Sequence, residues 1–311
     1  MMQNKILIIG GNGFIGSHLI DGLLEKDYKV RVFDITLEKF RKPNSKIDYR
    51  ISYQNNIYDL LEAMIGIDIV IHLAGTTVPS SSNIDLIADV NNNLITSLNI
   101  LNLCVRQGIK KVVHFSSGGA VYGNSEVLPI EEDHKKNPIS SYGIIKSTIE
   151  SYVQLHKELY GLDYLIIRPS NPYGPRQSHT HAQGVISTFI QNAYRNEPLQ
   201  IFGNGTTRKD YIYIKDLVDI TIKLLEFNSI GIFNIGSGKG TSVNEIVQTI
   251  NKTMNLKTEV IYSEERNYDV KNFILNINKI RQLLGFDFEF TSLENGINLT
   301  KEWIFQNRIL N

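Results

Sequence analysis

The sequence predicts an α/β fold whose first half is a doubly wound parallel sheet. Short runs rich in β-branched residues alternate there with stretches in which apolar residues recur every three or four positions. This alternation of strand and helix patterns is typical of βαβ units, whose successive strands are parallel. The strand-like runs are also continuously apolar, as expected for strands buried on both faces of a sheet.

The order of these patterns also suggests two domains. The predicted strands lie at residues 5–9, 29–34, 48–52, 68–74, 111–117 and 163–169. Gly108 and Gly161 each follow a helical pattern and are expected helix C-caps. Beyond Pro169 the segments become less regular. We therefore expect a first domain at 1–170 and a smaller C-terminal α/β domain at 171–311, with some return of the chain to the first domain near 203–236.

The composition excludes several classes of protein. Of 311 residues, 42% are hydrophobic and 21% are charged, and Lys+Arg equals Asp+Glu at 32 each. This balance provides no basic field for nucleic acid or anionic lipid. No run approaches the ~20 apolar residues of a membrane span. The only cysteine, Cys104, cannot form an internal disulfide, so we expect a cytoplasmic protein.

The first strand leads into the glycine-rich turn GGNGFIG at residues 10–16, which reads as GxxGxxG from Gly10 or GxGxxG from Gly11. Glycines at such a strand-to-helix turn let backbone N–H groups approach a pyrophosphate at a helix N-terminus. The next strand ends at Asp34, whose carboxylate would accept hydrogen bonds from an adenosine ribose and repel a 2′-phosphate. The pattern predicts a Rossmann domain that binds NAD rather than NADP.

Tyr142 and Lys146 form a second candidate site. The YxxxK spacing places both side chains on one face of a helix. A phenol has a pKa near 10, and lowering it by roughly three units corresponds to about 4 kcal/mol of differential stabilisation. A neighbouring ammonium and a positive nicotinamide both favour the phenolate. Such a phenolate could take the proton from a sugar hydroxyl while hydride leaves to NAD.

Together these motifs resemble the extended short-chain dehydrogenase/reductases of the NAD-dependent epimerase/dehydratase family, and in particular its UDP-glucose 4-epimerase group. The resemblance covers nearly the whole chain. Further matching motifs, in the family's order, are HLAG at 72–75, SSGGAVYG at 116–123, YGIIK at 142–146, RPSNPYGPR at 168–176, GNGTTRKDYIYIKD at 203–216, NIGSGKGTS at 234–242 and RNYD at 266–269.

The resemblance implies an NAD-dependent nucleotide-sugar 4-epimerase of the UDP-hexose type. Tyr142 would be its catalytic acid and base, and Lys146 would bind the nicotinamide ribose. Hydride would leave C4 of the sugar, and it would return to the other face of a 4-keto intermediate. The resemblance also implies a homodimer formed by helices near 86–107 and 143–159.

The family pattern assigns further residues to the cofactor. They are Gly10, Gly13, Phe14, Ile15 and Gly16 in the turn, Asp34 at the ribose, Asn56 and Ile57 near the adenine, Leu73, Ala74 and Gly75 along the pyrophosphate and ribose, and Asn93. Aspartate is the usual residue at the position of Asn56, so this chain departs from the pattern there.

The end of the fifth strand departs from the family in a second way. The residue that usually orients the reacting hydroxyl is Ser or Thr, and it aligns with Gly118. Successive strand residues face opposite sides, so Ser117 would need a bulge or a water to replace it. We expect Ser117 to be the orienting group and Gly118 to lie at the substrate. Alternatively, Gly118 and Gly119 leave room for a rotating hexose or a larger substituent.

The substrate's diphosphate is expected to contact cations and amides of the second domain. Asn171, Arg266 and either Arg208 or Lys209 match the family's positions for these contacts. Lysine provides a point charge without the bidentate fork of arginine, so the choice between Arg208 and Lys209 stays open. The loop 177–184 contains His179 and His181, which we interpret as substrate-side residues without a metal.

Two other functions compete with the epimerase. A 4-ketoreductase acting on an NDP-4-keto-6-deoxyhexose would use the same tyrosine in one direction and consume reduced cofactor. A non-catalytic NAD-binding protein is suggested by the missing hydroxyl at Gly118. A 4,6-dehydratase is disfavoured, because Gly119 and Ala120 stand where that group has an Asp-Glu pair.

Overall fold

The computed structural model describes residues 4–177, 184–266, 269–285 and 288–307. Its strands are β1 (Lys5–Ile9), β2 (Lys29–Asp34), β3 (Ile47–Ile51), β4 (Ile69–His72), β5 (Lys111–Phe115), β6 (Asp163–Pro169), β7 (Asn171–Tyr173), β8 (Leu199–Phe202), β9 (Arg208–Tyr213), β10 (Gly231–Ile235), β11 (Gly240–Ser242) and β12 (Val260–Ser263).

Helices follow most of these strands. They are α1 (Phe14–Glu25), α2 (Ile57–Met64), α3 (Leu86–Asp89), α4 (Thr96–Arg106), α5 (Gly118–Tyr122), α6 (Ser141–Tyr160), α7 (Val185–Tyr194), α8 (Ile214–Glu226), α9 (Val243–Met254), α10 (Asn278–Leu284) and α11 (Leu293–Gln306), with a π-helical turn (Val90–Ile95) between α3 and α4. Within the described ranges, no helix is both long and apolar enough to cross a membrane.

The main sheet is parallel and doubly wound, as predicted. Its order in the described residues is β3-β2-β1-β4-β5-β6-β10. Because β1 pairs with both β2 and β4, the order reverses at β1 and leaves a crevice at the carboxyl ends of β1 and β4. The last strand, β10, comes from the segment near 203–236 and lies at the edge beside β6. The fold class is confirmed, and the division at residue 170 stays a prediction.

Both faces of the sheet are buried. In β1, Ile6 and Ile8 point into one apolar cluster, and Leu7 and Ile9 point into another on the opposite face. All four are fully buried. This explains why the predicted strands are continuously apolar rather than alternating.

The remaining strands form two small sheets in the C-terminal part of the chain. One has the order β11-β9-β7, and the other pairs β12 with β8. In the first, β7 follows directly after β6, so the small sheet begins at the carboxyl edge of the main sheet. The C-terminal part of the chain, which carries the later motifs, therefore starts beside the crevice.

Helix α6 is the element that connects the crevice to the core. It begins after Ser140, whose hydroxyl accepts the Gly143 N–H at 3.2 Å. It ends at Gly161, which has a left-handed φ of 73° and is the predicted C-cap. A Cβ on Gly143 would lie 2.4 Å from the Ala120 carbonyl oxygen, so α6 contacts α5 as closely as a glycine permits.

A buried ion pair joins α6 to β6. The Arg168 guanidinium donates to both carboxylate oxygens of Glu150, at 2.9 and 2.7 Å. It also donates to the Tyr122 hydroxyl at 2.6 Å and to the Glu132 carbonyl at 2.8 Å. The side chains of Glu150 and Arg168 are 0% and 2% exposed. Removing the Glu150 carboxylate would leave the Arg168 charge without a partner inside the protein.

We expect Glu150→Gln to lower the free energy of unfolding by about 3 kcal/mol, because Arg168 would then be buried without a counter-charge. Urea denaturation at neutral pH measures this loss. Asp219→Asn is the control, since Asp219 pairs with Lys215 on the surface and should change stability by about 0.5 kcal/mol or less. Equal effects of the two substitutions would contradict the structural role of the buried pair.

Candidate active site

A cleft of about 320 Å³ opens at the crevice between β1 and β4. Its lining contains most of the residues that were predicted for the cofactor and the acid/base site. They are Gly10, Gly13, Phe14, Ile15, Gly16, Leu73, Ala74, Gly75, Asn93, Tyr142 and Lys146. Sequence reasoning missed the other lining residues, which are Thr77, Val78, Asp89, Ser97, Ile145 and Ile149.

The glycines of the turn serve different purposes. Gly10 has φ +84°, and a Cβ there would lie 2.7 Å from the Ala74 nitrogen. A Cβ on Gly16 would lie 2.5 Å from the Gly11 carbonyl oxygen, so this glycine allows α1 to pack on the turn. A Cβ on Gly13 would meet only the Gly10 oxygen, at 3.5 Å. Gly13 therefore leaves open space beside the start of α1, where a pyrophosphate can approach the backbone.

Asp34 lies at the end of β2, next to this turn. One carboxylate oxygen accepts the Asn12 N–H at 2.9 Å, and the other accepts the Thr36 N–H at 3.2 Å. The N–H groups of Asn12 and Thr36 thus hold the carboxylate beside the turn with lone pairs left for a ribose diol. Asp34 is not among the described residues that line the cleft, so its contact with a ribose stays a prediction. The geometry fits an adenosine dinucleotide bound across the glycine turn.

Asn56 and Ile57 begin α2, beyond the end of β3. The Asn56 side chain caps this helix by accepting the Asp59 N–H at 3.3 Å. The end of β3 is close to Asp34, since Ile51 is its partner in the sheet. Neither Asn56 nor Ile57 is among the described residues that line the cleft, so their contact with adenine stays a prediction.

Tyr142 and Lys146 face the cleft from the first turns of α6. The Lys146 ammonium donates to the Phe115 carbonyl at 2.7 Å and lies 5.7 Å from the centroid of the Tyr142 ring. Burial raises the pKa of Tyr142 to about 12, against the hydrogen bond with Ser117, which lowers it. Burial lowers the pKa of Lys146 to about 8, against the nearby Glu150 carboxylate.

These pKa values differ from the sequence-based expectation. The expectation was that the lysine ammonium favours the phenolate. In the structure burial is the larger effect, and it places the pKa of Tyr142 above the ordinary 10. The phenol is therefore protonated at neutral pH in the free protein, and a further positive charge in the cleft is needed to make Tyr142 a base.

Ser117 places its hydroxyl near enough to Tyr142 to lower the pKa of the phenol. The strand β5 ends at Phe115, and Ser117 is the N-cap of α5, with its hydroxyl accepting the Ala120 N–H at 3.4 Å. The change from strand to helix redirects Ser117, so the bulge considered from the sequence is not what turns it.

The space beside Gly118 and Gly119 is filled by protein. A Cβ on Gly118 would lie 2.8 Å from Leu275, and a Cβ on Gly119 would lie 3.0 Å from the Phe273 ring. Whether these glycines also leave room for a rotating hexose stays a prediction. The glycines accommodate two apolar side chains from the C-terminal part of the chain.

The structure separates the two candidate phosphate-binding cations on β9. Arg208 is half-exposed and donates to Glu245 at 3.0 Å and to the Gly240 carbonyl at 2.8 Å. Lys209 is on the other face of the strand. Burial lowers the pKa of Lys209, Asp269 raises it, and Arg266 lowers it. The charge of Arg266 therefore acts on Lys209, whereas Arg208 is paired with Glu245.

Arg266 and Asn171 make further contacts in this part of the chain. Arg266 stacks on Phe202, with its guanidinium carbon 3.5 Å from the ring centroid. Asn171 is paired in the small sheet with Tyr211, two residues along β9 from Lys209. Asn171, Lys209 and Arg266 therefore belong to one region at the carboxyl edge of β6.

The predicted histidine loop cannot be placed. His179 and His181 lie outside the described residues. Over the ranges that are described, no group of three or more His, Cys, Asp and Glu side chains is arranged to hold a metal ion.

Comparisons with known proteins establish the family. Residues 6–236 match the model of the NAD dependent epimerase/dehydratase family. The chain belongs to this family. The family membership predicted from the motifs is therefore confirmed.

Individual members show which activities are represented among similar proteins. The UDP-glucose 4-epimerase of Thermotoga maritima, solved with UDP-glucose, superposes with a TM-score of 0.91 at 34% identity, covering 98% of this chain and 99% of that one. The UDP-glucose 4-epimerase of Mycolicibacterium smegmatis is 30% identical over 98% of this chain and 99% of its own. The dTDP-4-dehydro-6-deoxyglucose reductase of Escherichia coli is 34% identical over 91% and 92%.

We expect Gly13→Ala to weaken NAD binding at least about tenfold, because the new methyl group occupies the space that a pyrophosphate needs. The φ of Gly13 is −79°, which any residue adopts, so stability without cofactor should change by less than about 1 kcal/mol. Gly16→Ala is the contrasting variant, since its Cβ meets backbone and should lower the unfolding temperature. Calorimetric titration with NAD and thermal unfolding measure both. Unchanged NAD affinity in Gly13→Ala would contradict this placement of the cofactor.

Proposed function

We propose that this chain is an NAD-dependent nucleotide-sugar 4-epimerase that acts on a UDP-hexose. One observation carries the proposal. Tyr142 and Lys146 line the same cleft as the glycine turn. The similarity to UDP-glucose 4-epimerases over nearly the whole chain supports the substrate class.

In the proposed reaction Tyr142 exchanges a proton with the C4 hydroxyl of the sugar. NAD, when bound, supplies the hydride acceptor and donor and a positive ring that favours the phenolate. The Lys146 ammonium donates a hydrogen bond to the Phe115 carbonyl. This hydrogen bond keeps the ammonium beside the Tyr142 ring. Ser117 lowers the pKa of the phenol, and in the proposed reaction its hydroxyl orients the sugar hydroxyl. Once the 4-keto sugar has turned its other face to the cofactor, Tyr142 returns the proton to the C4 oxygen of the sugar.

Tyr142→Phe should keep NAD binding and lower turnover at least about 10²-fold, because the proton acceptor is removed. Ser117→Ala should have a smaller effect, about tenfold, since it removes one orienting hydrogen bond. Tyr160→Phe is the control, as Tyr160 ends the same helix and is 57% exposed. Turnover is followed by proton NMR of the epimeric UDP-sugars. Activity retained in Tyr142→Phe would remove this residue from the mechanism.

The second part of the proposal concerns the diphosphate. We assign its binding to Lys209, Arg266 and Asn171, because they share one region beside the cleft. Lys209 is surrounded by enough protein for burial to lower its pKa. The negative charge of a bound diphosphate would raise the pKa of Lys209 again and favour its charged form. Arg208 is excluded, since its guanidinium is already paired with Glu245.

Lys209→Met should raise the KM for the UDP-sugar, and the Kd for UDP, at least about tenfold, because a charge-assisted hydrogen bond to phosphate is lost. Arg208→Met is the matched control on the adjacent residue and should leave both constants within about twofold. Titration with UDP measures the Kd without turnover. An equal or larger effect of Arg208→Met would reverse the assignment.

The homodimer is a third part of the proposal. One face of α6 carries Ile144, Tyr152, Leu155 and Leu159, which are 54%, 37%, 43% and 60% exposed. Their spacing puts them within one helical stripe, separate from the face on which Ile149 and Val153 pack into the core. A stripe of this kind on a long surface helix is typical of an interface between subunits.

Sedimentation should therefore give about twice the chain mass of 35.3 kDa. We expect Leu155→Lys to yield monomers, because a charge would be buried between the subunits. Leu256→Lys is the control, since Leu256 is 41% exposed on a different part of the surface. A monomeric wild-type protein would end this part of the proposal.

A 4-ketoreductase is the second candidate function, favoured by the 34% identity to the reductase of Escherichia coli. The deciding experiment incubates the purified protein with UDP-glucose, UDP-galactose and their N-acetyl forms, without added cofactor. Conversion to the C4 epimer without net cofactor change would establish the epimerase. If none is converted, a 4-keto-6-deoxy nucleotide sugar and NADH test the reductase. If neither assay shows conversion although NAD is bound, the result would favour a non-catalytic NAD-binding protein.

A further inference from the structure

Asp89 is a buried carboxylate in the wall of the cleft. It is the last residue of α3, its exposed fraction is 1%, and it lines the same cleft as Tyr142 and Lys146. The roles described above leave it without a function. Burying a carboxylate is costly unless its oxygens are well hydrogen-bonded, so its partners indicate why it is there.

Three neutral side chains donate to Asp89. Thr77 and Asn93 donate to one oxygen at 2.6 and 2.7 Å, and Ser141 donates to the other at 2.5 Å. Thr77 lies in the loop after β4, Asn93 in the π-helical turn, and Ser141 at the start of α6. The carboxylate is therefore the point at which three separate elements of the cleft meet.

These elements lie next to residues that were predicted to be functional. Ser141 directly precedes Tyr142, and its N–H donates to the Asn83 side chain at 2.9 Å. Asn93 also accepts the Thr76 N–H at 2.9 Å, immediately after the residues that line the cofactor path. Asp89 thus links the cofactor loop to the first turn of the helix that carries the acid/base residue.

We propose that Asp89 is a positioning residue that sets Tyr142 relative to the cofactor loop at 75–77. The inference rests on the proposed epimerase function. Its hydrogen bonds, rather than its charge, hold the phenol at the distance and angle that proton and hydride transfer require. A misplacement of about 1 Å at a reacting centre can cost about 10²-fold in rate.

Two substitutions separate hydrogen bonding from charge. Asp89→Ala removes all three bonds. Asp89→Asn keeps the oxygen that accepts from Thr77 and Asn93, and its amide can donate to Ser141, because a hydroxyl accepts as well as donates. Asp85→Ala is the control, since Asp85 is an exposed carboxylate four residues earlier that caps α3 by accepting the Ala88 N–H.

For C4 epimerisation of the UDP-sugar, Asp89→Ala should lower kcat about 10²-fold and leave KM within about threefold. Asp89→Asn should restore kcat to within about fivefold of wild type, and Asp85→Ala should match wild type. Hydrogen exchange of the amides in 139–146 should accelerate in Asp89→Ala and return to the wild-type rate in Asp89→Asn.

Three results would overturn the inference. They are an unchanged kcat in Asp89→Ala, a loss confined to KM, and an Asp89→Asn variant as impaired as Asp89→Ala, which would indicate a role for charge. A wild-type protein that converts no UDP-sugar would instead overturn the proposed function. The exchange rates decide the positioning role in that case, and unchanged exchange in Asp89→Ala would refute it.

Discussion

The buried ion pair between Glu150 and Arg168 is the interaction on which the site depends. It fixes α6 against the sheet, and α6 carries both Tyr142 and Lys146. Placing two charges inside a protein costs several kcal/mol per ion unless their hydrogen bonds are satisfied. Here the pair is bidentate, and the Tyr122 hydroxyl and the Glu132 carbonyl accept two of the three remaining guanidinium protons. Because Glu150 lies one helical turn beyond Lys146, its charge also opposes the loss of the ammonium's proton.

A second constraint joins the two halves of the chain just beyond the carboxyl end of β5. Leu275 and Phe273 occupy the space that Gly118 and Gly119 leave free. Their segment is held by Asp210, which accepts the Leu275, Ser237 and Gly238 N–H groups, and burial raises the pKa of this carboxyl to about 6. The residues beside Ser117 are therefore set by a segment about 150 positions away in the chain.

In the free protein Tyr142 is not in the deprotonated state that base catalysis needs. Burial keeps the Tyr142 phenol protonated and brings the pKa of Lys146 down to about 8. Both effects come from removing the groups from water, and both would be reversed by charges arriving with ligands. In the proposed reaction the basicity of Tyr142 is thus coupled to occupation of the cleft, while Asp89 and Ser117 hold its position.

The sequence by itself determined the parallel sheet, the glycine turn with Asp34, and the Tyr142–Lys146 pair. These features are local: a strand pattern, a tight turn and a helical spacing are each encoded within a few residues. Only the tertiary structure decided that Arg208 pairs with Glu245 while Lys209 is buried, that Ser117 caps α5, and that Asp89 belongs to the cleft. Each of these depends on contacts between residues distant in the chain, and neighbouring positions on one strand differ only in the face that packing gives them.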